Sequence, residues 1–191
     1  RATLCAPWGV AMPRMDNSML FVVIMSGEGW LRMSGRDSIL IREGSMVVLP
    51  HGHAVDLASG PEQAALPLFD YPARKVSERY EMMEIEGPGP VTRAMTGVIS
   101  VDDVAARRLI ALLPELLVVD RWHDVAGGWL RSTLDLIAHE AATLKPGGEA
   151  VITRLADILI IQAIRSWLDG AAEAQRGWLA ALRDPMLGRA L

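Results

Sequence analysis

Two periods of apolar and polar positions divide the chain. Over residues 8–69 the apolar residues come in short runs punctuated by Gly, Pro, Asn and Asp, the pattern of strands joined by turns. Strands are expected over 8–12, 19–25, 30–33, 38–41, 46–49, 54–57 and 66–69. The segments 26–29 and 34–37, each carrying glycine, sit at hairpin positions. Residues 20–25 are apolar at every position, so both faces of that strand must be covered. Alternation therefore does not say which of its side chains point inward. Residues 71–90 read as a long surface connection, 91–101 as a strand whose end could close a barrel, and 116–119 as a last strand. Between them Asp102 caps a short amphipathic helix carrying Ala105, Leu109, Leu112 and Leu113, which Pro114 ends.

Beyond Trp122 the period becomes helical. Trp129, Leu130, Thr133, Leu134, Ile137, Ala141 and Leu144 form one stripe opposite Arg131, Asp135 and Glu140. A break at Lys145, Pro146, Gly147 and Gly148 starts a second helix reaching to about Leu168. That helix is apolar on two faces. Ile152, Ala156, Leu159, Ile160, Ala163 and Trp167 make one; Ile161, Ile164 and Leu168, beside Asp157, make the other. The second face needs a partner, most simply the same helix of another copy, so Asp157, Ile161, Ile164 and Leu168 are the candidate dimerisation residues. The expected organisation is a sensor-sized β domain over 1–122, an antiparallel helical hairpin over 123–170, and a connector over 171–191. In the connector, Asp184 followed by Pro185 is a helix-start signal.

Composition narrows the function classes. The formal net charge of −4 over 191 residues argues against this chain gripping a nucleic-acid backbone by itself. A single cysteine, Cys5, excludes an internal disulfide framework and suits a reducing, cytoplasmic setting. No segment reads as a signal peptide or a membrane span. No phosphate loop, nucleophile elbow or CxxC pair occurs. His123 and His139 read as surface residues, and no catalytic residue stands out.

Residues 43–57 carry the most specific signal. Gly44 permits a positive φ at a strand entry, residues 46–49 form an apolar strand, and Pro50 with Gly52 makes a turn before a second short strand. The spacing of Gly44, Pro50 and Gly52 resembles the second motif of the cupin superfamily, which builds a corner of a small antiparallel barrel. Further blocks keep the same order: WGVAMP at 8–13, GWL at 29–31, GGEAVITRLADIL at 147–159, QAIRSW at 162–167, GWLAAL at 177–182 and DP at 184–185. Together they resemble the amino-terminal half of AraC-type transcriptional regulators. The resemblance implies a mainly β plus α fold: a cupin-like antiparallel β-barrel (double-stranded β-helix) followed by the helical hairpin. It also implies a homodimer, a small-molecule effector, and DNA binding through a module of two helix-turn-helix units that this chain does not contain. No enzyme activity, cofactor or membrane partner is expected on this reading.

Three positions depart from that pattern. Val22 stands where such relatives often carry histidine, Val55 where the cupin motif ends in histidine, and Thr96 where a cysteine often precedes Gly97. The expected cavity is therefore apolar, for a small apolar or aromatic ligand. Trp8, Met12, Met19, Phe21, Met25, Trp30 and Met33 are its candidate lining, since methionine and tryptophan make adaptable walls. His51 and His53 form a His-x-His pair beside the turn, read as metal ligands, as ligand contacts, or as turn histidines. The alternative is thus a metal-dependent cupin enzyme, a dioxygenase or isomerase, using His51, His53 and Asp56.

Overall fold

The computed structural model describes residues 1–78, 80–100, 107–108, 110–119, 125–143 and 145–170. Among these, twelve strands form two sheets, followed by two helices. The strands are β1 (Ala2–Cys5), β2 (Gly9–Met12), β3 (Ser18–Ser26), β4 (Glu28–Arg32), β5 (Ile39–Arg42), β6 (Met46–Leu49), β7 (Val55–Ala58), β8 (Leu66–Pro67), β9 (Ala73–Lys75), β10 (Glu81–Ile85), β11 (Val91–Ser100) and β12 (Leu117–Val119). The helices are α1 (Val125–Thr143) and α2 (Gly148–Gly170). One sheet has the order β12-β6-β3-β11-β1-β10-β9, the other β5-β4-β7-β2-β8.

The expected closed barrel is corrected by this topology. Among the described residues the sheets face one another with their ends unpaired: β12 and β9 flank one, β5 and β8 the other. A barrel closes only when its end strands pair with each other. Nor is every ladder antiparallel, because β1 pairs parallel with β10 and β2 parallel with β8. The segment expected as an unstructured connection over 71–90 contains β9 and β10. The side chains of β9, which include Arg74 and Lys75, are all exposed at the sheet edge. Charge there discourages pairing with another chain. The strand expected over 66–69 is shorter: β8 ends at Pro67, and Leu68–Asp70 forms a single 3-10 turn. The short helix expected before Pro114 falls largely outside the described residues.

β3 organises the molecule. It pairs with β6 on one side and β11 on the other, and its successive side chains point to opposite faces. Leu20, Val22 and Ile24 point between the sheets, into a cluster with Leu4, Trp8, Met12, Leu31, Ile41, Val47, Leu49, Val55, Leu57 and Ala94. Met19, Phe21 and Val23 point the other way, into a second cluster with Met46, Val48, Met95, Leu117 and Val119. The helices cover that outer face through Leu130, Leu134 and Ile137 of α1 and Leu159, Ile160, Ala163 and Trp167 of α2. The unbroken apolar run thus has both faces covered, one by the facing sheet and one by helices. Each fully buried Leu, Ile or Val contributes roughly 1.5–3 kcal/mol, so β3 and β6 carry a large share of the stability. The helices share this core with the sheet, and no helix among the described residues is long and apolar enough to cross a membrane.

Candidate functional site

The corner after β6 is built as its glycines and proline require. Gly44 enters β6 with a φ of 83°, and all four residues of β6 are buried. The chain then turns, with Gly52 N–H donating to the Leu49 carbonyl at 3.2 Å and Met15 N–H to the Gly52 carbonyl at 2.8 Å. Gly52 has a φ of 60°, and any Cβ there would run into the Met15 carbonyl oxygen. Only glycine fits.

The turn sets His51 and His53 side by side, ring centroids 5.7 Å apart and edge to face. His51 Nε2 lies 3.0 Å from the Leu113 carbonyl oxygen. A carbonyl only accepts, so Nε2 carries the hydrogen in that bond. Nδ1 of His53 is buried with no hydrogen-bond partner among the described residues. Arg36, from the turn between β4 and β5, donates to Glu115 at 2.9 Å. That bond, aided by the charges of His53, Arg36 and His51 and opposed by desolvation, holds the exposed Glu115 carboxyl below its ordinary range. A lowered folded pKa means that any stability from this pair is present above the ordinary glutamate pKa. It is lost as pH falls through the folded value. Beside the corner lies a small cleft of about 210 Å³, lined by Asn17, Ser18, His51, Arg107 and Ile110 among others.

The three positions that depart from the resembled pattern, Val22, Val55 and Thr96, lie elsewhere. Val22 and Val55 are buried between the sheets, and Thr96 pairs with Val22 across the β3–β11 ladder. Asp56 alternates with Val55 and Leu57 on β7 and is ion-paired to Arg32 at 3.2 Å. His51, His53 and Asp56 are therefore not brought together. Among the described residues, no group of three or more His, Cys, Asp or Glu side chains is placed to hold a metal.

A family model described as Cupin matches residues 1–169, nearly the whole described chain. The chain belongs to the cupin family. The matched domain is the cupin found in AraC-type regulators. A search of curated proteins found no match.

Within this cupin the expected lining residues do not share one cavity. Trp8 and Met12 lie between the sheets. Phe21 and Met25 pack on the helix side of the seven-stranded sheet. Trp30, half-buried, alternates with the inward Leu31 on β4 and stands on the other face of that strand. His51 and His53 occupy the corner. The space between the two sheets is filled by a packed cluster of side chains, several of them fully buried.

The expected dimerisation residues also separate. Ile164 and Leu168 pack partly against the helix-side core, and Asp157 accepts a hydrogen bond from Arg154 at 3.3 Å. Ile161 is about half exposed, at 49%, and shares its exposure with Ile158 and Val151 on α2 and Leu136 on α1. Sequence reasoning missed three groups: Arg36, Glu115 and the exposed Ile158. Ile158 follows Val151 by seven residues and precedes Ile161 by three, a helical spacing that could have found it.

Proposed function

We propose that this cupin is the effector-sensing and dimerisation part of an AraC-type transcriptional regulator. The observation that carries the reading is the burial of valine at both strand positions where a cupin metal centre would be liganded, Val22 and Val55. An apolar, closely packed middle has no donors to hold a cation. The match to the cupin domain of AraC-type regulators supports the same reading. Because the space between the sheets is filled, the small-molecule effector binds toward an end of the domain rather than at its centre. The exposed apolar stripe of α2 pairs with its copy to make a homodimer in the cytoplasm. DNA is contacted by helix-turn-helix units that follow this domain. The effector acts by favouring one arrangement of the two DNA-binding modules, which requires it to bind that arrangement more tightly.

Metal analysis of the purified protein tests the non-enzymatic side of this proposal. The expected result is metal far below one ion per chain, unchanged in a His51→Ala/His53→Ala variant. Stoichiometric iron, manganese or zinc that disappears in that variant would replace the sensor with a metalloenzyme.

A further inference from the structure

At the end of the sheets opposite the His51 corner lies a cleft of about 600 Å³. That size falls within the roughly 300–1,000 Å³ typical of small-molecule sites. Its floor includes Trp8, only 3% exposed. The tryptophan is fixed from both sides of its backbone: its N–H donates to Ser59 Oγ at 3.0 Å, and its carbonyl accepts from Ser59 N–H at 2.9 Å. Its ring packs so closely on Gly29 that a Cβ there would stand 3.1 Å from Cη2. Yet Trp8 Nε1 is buried with no hydrogen-bond partner among the described residues. Ser26 Oγ, on the residue before Gly27 of the lining, is another buried polar atom without a partner among the described residues. Native proteins pair nearly all such groups, so an orphaned indole N–H on a residue that lines a cleft marks a place where a partner molecule is wanted.

The chemistry around the cleft narrows the partner. Indole Nε1 only donates, so the ligand must present an acceptor. Arg42 lines the same cleft, and its guanidinium has no ion pair or hydrogen bond among the described residues. A carboxylate meets both. A plain anion fits poorly, however, because the carboxylates of Glu28 and Glu43 line the cleft as well. A plain cation would leave Trp8 and Arg42 unmet. Ala6, Pro90 and Val91 add a short apolar wall. We propose that this cleft binds a small zwitterion of the amino-acid type, its carboxylate taking the Trp8 Nε1 hydrogen and facing Arg42, its ammonium facing Glu28. The proposal deepens the sensor reading by naming the effector's class, but its test reads binding alone. A ligand that binds without any effect on DNA would sink the regulator and leave the site standing.

The test is the indole region of a ¹H–¹⁵N correlation spectrum, in which each of the six tryptophans gives one signal. Trp8→Phe removes and so assigns the Trp8 signal; contacts to Gly29 assign it independently if that variant does not fold. The free L-amino acids are titrated one by one. Any that binds is repeated as its N-acetyl acid, which keeps only the negative charge, and as its amide, which keeps only the positive one. At least one free amino acid is expected to move the Trp8 signal downfield to saturation. Its two blocked forms are expected to bind at least about tenfold more weakly, and so is the free form to Arg42→Ala, an exposed position whose change leaves the fold intact. If no free amino acid moves the signal, if the blocked forms bind equally well, or if Arg42→Ala binds unchanged, the proposal is wrong.

Discussion

Phe21→Ala is expected to cost about 3–5 kcal/mol of folding stability, the range for truncating a well-packed aromatic residue. Phe21 was a candidate for lining a ligand cavity, but it lies in the cluster that joins the seven-stranded sheet to α1 and α2. Across the ladder it faces Gly97, which has no side chain, and the ring fills the space above that glycine closely enough that a Cβ there would collide with it. Removing the ring leaves a hole bounded by backbone, which collapses poorly. Chemical denaturation should show the full loss, and ligand affinity at the Trp8 cleft should be unchanged because Phe21 points away from it. A loss below about 1 kcal/mol would mean that the helices do not rest on this face of β3.

The double variant Ile158→Asp/Ile161→Asp should raise the dimer dissociation constant by about 100-fold or more. Each isoleucine removed from an interface forfeits roughly 1.5–3 kcal/mol of burial, and each factor of ten in affinity is about 1.4 kcal/mol. Four aspartates would also face one another across a two-fold axis. Sedimentation velocity at micromolar concentration should find monomers with helical circular dichroism intact, since both side chains are about half exposed in the single chain and neither belongs to the internal core. Ile164 is a poor choice for this test. It packs partly against the internal core, so a charge there would disturb the fold as well as any interface. A double variant that still sediments as a dimer would assign the exposed stripe of α2 another use.

Much of the architecture was legible in the residues. The covered faces of β3 followed from its unbroken apolar run, and the shape of the corner from Gly44, Pro50 and Gly52. What stayed hidden has physical causes. A run apolar at every position carries no alternation, so sequence alone did not say that Val22 faces the opposite sheet while Phe21 faces the helices. β9 and β10 lie at or next to a sheet edge, where one face meets water and charges such as Arg74 and Glu84 are tolerated, so their pattern resembles a loop. Barrel closure depends on which end strands meet, and no local pattern encodes that. At the corner, His51 and His53 stood out by spacing, whereas Arg36 and Glu115 come from distant turns and meet only through the fold. The Trp8 cleft shows itself through unpaired atoms, which a sequence cannot display.

The account stands on a sensor that serves a DNA-binding module, and the coding sequence beyond Leu191 tests that most directly. It should continue from Asp184 and Pro185 through a helix into two helix-turn-helix units, the second helix of each carrying an excess of Arg and Lys to meet phosphates. A stop codon within a few residues of Leu191, or a continuation lacking both units, would contradict it.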